Sequence, residues 1–133
     1  WALSELVSGR PIRIVTDECA NPTYVPELSA ALTALASPTF KQAGLFHTAG
    51  ADFMSRYEMV IGLCDVFGLD QDLVAPVVSQ DLQQAAARPT RAGLRTEKVL
   101  ESARVSFRPY RVNLSELKDR IGDLDVWMET SRS

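Results

Sequence analysis

The stretch Ser55–Gly68, SRYEMVIGLCDVFG, decides the fold. Ser55 and Glu58 stand three residues apart, as a capping box requires: the serine accepts from a backbone N–H and the glutamate reaches back to the cap. Tyr57, Val60, Ile61 and Cys64 then share one face of a helix, and Met59, Leu63 and Val66 share another. Two apolar faces predict a helix buried on more than one side. Gly68 is placed to cap its C-terminus.

Short apolar runs flank this helix. Ile12–Val15 (IRIV) reads as a strand. Leu73–Val78 reads as another, and Pro76, which lacks a ladder donor, favours an edge. Gly44–Ala49 (GLFHTA) reads as a third, nearly all apolar or small, as expected of a strand covered on both faces. Between the strands, Pro26 suits the first position of a helix. Leu28, Leu32 and Leu35 give that helix an apolar face, and Ser37-Pro38 ends it. Ser79-Gln80-Asp81 starts a short helix through Ala87, and Asn113-Leu114-Ser115-Glu116 caps a last one with Leu114, Leu117 and Ile121 inward. The tail DLDVWMETSRS extends that helix or frays. Strands alternating with helices indicate an α/β arrangement.

The 133 residues suit one domain, and 46% apolar with 23% charged residues is a globular composition. A net charge of −3 argues against nucleic acid as a partner. The apolar runs are too short to span a bilayer. Cys19 and Cys64 form no metal spacing with the single histidine, His47. Cys64 lies in an apolar helical pattern and Cys19 in a loop, so reduced thiols and a cytoplasmic location are expected. Leu3, Leu6 and Val7 have helical spacing from the first residues, until Gly9 and Pro11 stop them. A chain that opens inside a helix, with too little sheet to cover a central strand, is expected to be a C-terminal piece of something longer.

No nucleophile–base constellation stands out, and there is no P-loop or G-x-G-x-x-G. Tyr24, Tyr57 and Tyr110 are followed four residues later by Leu28, Ile61 and Leu114, so no tyrosine has the lysine partner of a short-chain dehydrogenase. His47 sits within an apolar run with no nearby acid, which favours a structural histidine over a general base. Asp17 and Glu18 are a carboxylate pair for a site, or turn caps, the simpler reading. Four positive charges, Arg88, Arg91, Arg95 and Lys98, fall within eleven residues. Two guanidiniums on one loop fit a pyrophosphate, and a solvated basic loop is the alternative. Arg56, in the first turn of a helix, opposes the macrodipole and marks either an anion site or, the reading preferred here, a solvated charge.

Three segments together resemble a known family. VTDECANPTYVPELSAAL resembles the D-Q-x-x-x-P-T-Y-x-x-D-L-A segment of dTDP-4-dehydrorhamnose reductases. GLFHTAGADFMSRYEMV resembles their G-x-Y-H-x-x-G-x-x-S-x-Y-E-x-A, and RPTRAGL their R-P-x-x-S-x-L. The resemblance covers roughly residues 1–122 and implies the C-terminal substrate-binding part of an extended short-chain dehydrogenase, a small sheet plus helices lacking most of the Rossmann sheet. It implies that residues 1–133 are a single domain whose N-terminal Rossmann partner is absent. NADPH or NADH would serve the parent enzyme, with none bound by this chain alone, and a nucleotide sugar would be the substrate. The chain would be inert by itself and would associate with the missing Rossmann half or with itself. Ile12–Val15 and Leu73–Val78 would pair in the small sheet. Glu18, Asn21, Thr23, Arg88 and Arg91 would bind substrate, Arg88 at the diphosphate. Departures from the pattern leave the sugar open: Glu18 stands for glutamine, Glu27 for aspartate, Ser29 for alanine and Gly93 for serine. The same layout resembles the regulatory subunit of methionine adenosyltransferase, so a non-catalytic interaction module is the alternative. A stand-alone small binding domain is a third.

Overall fold

The structure is a computed structural model that describes residues 1–82, 86 and 88–130. Helix α3 (Arg56–Phe67) is its centre, and it forms as the capping box requires. The Ser55 hydroxyl accepts from the Glu58 N–H, the Glu58 carboxylate accepts from the Ser55 N–H, and Gly68 ends the helix in the left-handed region at φ 71°. Those Ser55 hydrogen bonds hold the Glu58 carboxyl below its ordinary pKa.

Both expected faces of α3 are covered. One face packs on α1 (Ala2–Val7) and on a two-stranded parallel sheet of β1 (Ile12–Val15) and β4 (Val74–Val77). The two runs pair as the family resemblance implies, in a register that sets Ile12 opposite Val74 and Ile14 opposite Pro76. Leu6, Ile12, Ile14, Cys64 and Val74 are buried together there. Each aliphatic side chain so buried contributes about 1.5–3 kcal/mol before entropy is counted. The opposite face meets α5 (Tyr110–Ile121), where Leu114, Leu117 and Ile121 turn inward with Leu3 and Phe67. Helix α6 (Leu124–Thr130) follows after a break at Gly122, and its Trp127 joins this second cluster.

The remaining elements frame a ribbon beside α3. Strand β2 (Cys19–Ala20) pairs antiparallel with β3 (Met54–Ser55). Helix α2 (Val25–Leu35) packs on α4 (Glu97–Ala103).

Four expectations need correction. Residues 44–49 form no strand. The Leu45 carbonyl accepts from Lys98 Nζ at 2.8 Å, the ammonium stands 4.2 Å from the Phe46 ring centroid, and Leu45 is exposed. A carbonyl of this run is thus met by a side chain rather than by a ladder, and His47 is exposed. Helix α2 starts at Val25, with Pro26 at its second position, and it buries Ala31 rather than Leu32. Helix α5 starts at Tyr110, not at Asn113, because the Asp52 carboxylate accepts from the Tyr110 N–H at 2.6 Å. That cap comes from a distant segment, which no local pattern records. The helix expected from Ser79 is a 3-10 turn over Ser79–Leu82, and its continuation to Ala87 falls mostly outside the described residues.

Candidate functional site

Asn21 joins three segments. Its Nδ2 donates to the carbonyls of Gly50 (3.1 Å) and Asp52 (3.2 Å), and its Oδ1 accepts from the Leu94 N–H (2.9 Å). Thr23 completes the joint: its hydroxyl donates to the Asn21 carbonyl (3.1 Å) and accepts from the Gly50 N–H (3.0 Å). The turn is so close to residue 50 that a Cβ there would lie 1.9 Å from the Pro22 carbonyl oxygen, so glycine is required. Next to it, the backbone of 90–92 runs parallel to Cys19. Cys19 N–H donates to Thr90 O and Ala92 N–H to Cys19 O, both at 2.8 Å. The basic loop is thereby drawn against the acidic turn, although the two are far apart in sequence.

The acidic pair is divided. Asp17 accepts from the Ser79 N–H (2.9 Å) and hydroxyl (2.8 Å), capping the turn there. The Ser79 hydroxyl is the main cause of an Asp17 pKa below the ordinary carboxylate value. Glu18 turns the other way and is buried, its Oε2 3.0 Å from Nε of Arg56. Asp17 is therefore a cap, and the two carboxylates do not act as one pair.

The residues expected to bind substrate fall into adjoining hollows. Glu18 and Arg88 line one of about 190 Å³, together with Cys19, Arg56 and Ala92. Asn21 and Arg91 line a second of about 270 Å³, with Phe53 and Gly93. Arg91 lies over the Phe53 ring at 4.9 Å, and a Cβ on Gly93 would meet that ring at 2.6 Å. Thr23 instead borders a more apolar hollow of about 260 Å³ with Pro22, Tyr24, Leu63 and Leu114. Among the described residues neither Arg88 nor Arg91 is in an ion pair, and both are exposed. Sequence reasoning missed Phe53 and assigned Arg56 to solvent. The signal for Arg56 was its charge at the wrong end of a helix.

A small parallel sheet packed on a central helix is the architecture of the substrate-binding part of an extended short-chain dehydrogenase. The family model described as the RmlD substrate binding domain matches residues 2–122, and the chain belongs to that family. It is 26% identical over 105 residues to a dTDP-4-dehydrorhamnose reductase of Mycolicibacterium smegmatis, covering 79% of this chain and 32% of the relative. It is 26% identical over 115 residues to the spore coat polysaccharide biosynthesis protein SpsK of Bacillus subtilis, covering 86% of this chain and 39% of that one. The crystal structure of a dTDP-4-dehydrorhamnose reductase from Bacillus anthracis in complex with NADP superposes with a TM-score of 0.79 at 18% identity, over 90% of this chain and 41% of that chain. The chain thus spans 32% and 39% of the length of the two curated relatives.

Proposed function

We propose that this chain is the nucleotide-sugar-binding part of an NADPH-dependent reductase of the dTDP-4-dehydrorhamnose type, and that it is inert alone. The observation that carries the reading is the Asn21 joint. It brings the acidic turn, the 50–55 segment and the 88–94 loop together, with the exposed guanidiniums of Arg88 and Arg91 at the rim. A guanidinium forks onto the oxygens of a diphosphate. Glu18, Asn21, Thr23, Arg88 and Arg91 form this site, with Arg88 directed at the diphosphate.

The cofactor of the reading proposed here binds outside these residues. Dinucleotides bind beyond the carboxyl ends of parallel strands, on a glycine-rich turn into a helix. Here β1 runs instead into Asp17 and Glu18, and Asp17 already takes the N–H of Ser79. The turn after β1 is not a glycine-rich entry into a helix, and Asp17 is already engaged with Ser79 there, so these residues do not fit NADPH and no step of hydride transfer is assigned to them. A Rossmann part supplied from elsewhere would carry it. Among the described residues, no helix is long and apolar enough to cross a membrane. Two free thiols suit a cytoplasmic setting.

Equilibrium titration of the purified chain tests the reading. A dTDP-sugar binds, NADPH does not, and the chain shows no reductase rate with both present. Failure to bind any nucleotide sugar would favour the interaction-module alternative.

A further inference from the structure

Arg56 is the first residue of α3, where a cation opposes the positive end of the macrodipole. Its position is nevertheless fixed. The Arg56 N–H donates to the Glu18 carbonyl at 3.0 Å, and Nε pairs with Oε2 of buried Glu18 at 3.0 Å. Contact through Nε, beside the aliphatic stem, leaves the terminal nitrogens of the guanidinium. Among the described residues those nitrogens make no hydrogen bond. Arg56 and Arg88 line the same hollow of about 190 Å³. Among the described residues its walls thus carry two guanidiniums and one carboxylate, and the α3 dipole adds to the positive side. A hollow below the roughly 300 Å³ at which small-molecule pockets begin suits one ionic group of a larger ligand.

We propose that Arg56 is a second anion-binding arginine of this site. Arg56 and Arg88 grip the diphosphate of a nucleoside-diphosphate ligand from two sides, and Glu18 is the positioning residue that holds Arg56 in place. The inference rests on the nucleotide-sugar reading above and adds to it a residue that the family resemblance does not supply. A structural Arg56–Glu18 pair would need no second arginine on the same wall.

The test is calorimetric titration of the 133-residue chain with dTDP, thymidine and inorganic pyrophosphate. Arg56→Gln should weaken dTDP and pyrophosphate roughly tenfold or more, the scale of a charge-assisted hydrogen bond, and leave thymidine unchanged. Arg56→Lys should recover only part of the loss, because an ammonium cannot fork. Removing Arg56 alone leaves a buried carboxylate without this partner, so the double variant Glu18→Gln/Arg56→Gln, which removes both charges, guards against misfolding. It should bind as weakly as Arg56→Gln, with thermal unfolding showing that it is folded. A folded double variant with dTDP affinity within twofold of wild type, while Arg88→Ala loses it, overturns the role of Arg56 and leaves the nucleotide-sugar reading standing. Arg56-dependent binding of pyrophosphate with dTDP no tighter supports the anion grip and overturns the nucleotide reading. Binding of neither anion overturns both.

Discussion

Asn21 Oδ1 accepts from the backbone N–H of Leu94 at 2.9 Å, across 73 residues of sequence. The same side chain donates to two carbonyls on a third segment, so one amide holds the basic loop, the acidic turn and the approach to α3 in a single arrangement. Asn21→Ala removes the partner of three backbone groups, two of them, the Gly50 and Asp52 carbonyls, partly buried. It should cost about 2 kcal/mol in urea unfolding, and amide exchange at Leu94 should accelerate. Asn21→Asp keeps the acceptor but loses both donors, and it should fall close to the alanine variant. Wild-type exchange at Leu94 in either variant would remove the joint from the account.

The Tyr110 hydroxyl donates to the Met59 carbonyl at 3.1 Å, and burial pushes its pKa from 10.0 up to about 12. The folded state holds this proton more tightly than the unfolded chain does. Its contribution to stability is therefore complete below about pH 10 and is lost as the pH rises through about 12. The urea midpoint of wild type should fall more between pH 9.5 and 11.5, on the order of these conditions, than that of Tyr110→Phe. Parallel pH dependence of the two proteins would show that Tyr110 is not responsible.

The two thiols differ in access. Cys64 is 1% exposed, and burial pushes its thiol pKa up, whereas Cys19 is partly exposed at the edge of the candidate site. An aromatic disulfide reagent should titrate one thiol quickly in the native chain and both in denaturant. A ligand seated in the hollow lined by Cys19 should slow the fast reaction. Two fast thiols in the native state would contradict the burial of Cys64.

Helix α2 buries Ala31 completely and leaves Leu32 53% exposed. Ala31→Leu should overpack that contact and cost about 1–3 kcal/mol. Leu32→Gln should change stability by no more than about 0.5 kcal/mol. Chemical denaturation of the two variants separates them, and the reverse order would restore the leucine face expected from spacing.

Local chemistry was legible in the sequence wherever the cause was local. Ser55, Glu58 and Gly68 announce both ends of α3, and its two apolar faces announce that it is covered twice. The pairing of Ile12–Val15 with Val74–Val77 followed from two apolar runs set in the pattern of a known family. What stayed hidden was decided by distant partners. Asp52 caps α5, Lys98 takes the Leu45 carbonyl, and Glu27 takes the Asn113 amide that reads as a local cap. Likewise, Arg56 reads as a solvated charge until the fold sets Glu18 and Arg88 beside it.

Backbone amide shifts of the chain, followed while dTDP-glucose is added, test the central claim most directly. The account predicts saturable shifts concentrated at residues 18–21, 53–56 and 88–94, which weaken together in Arg88→Ala. Saturable shifts centred elsewhere, or none at millimolar ligand, would contradict a nucleotide-sugar site at this joint.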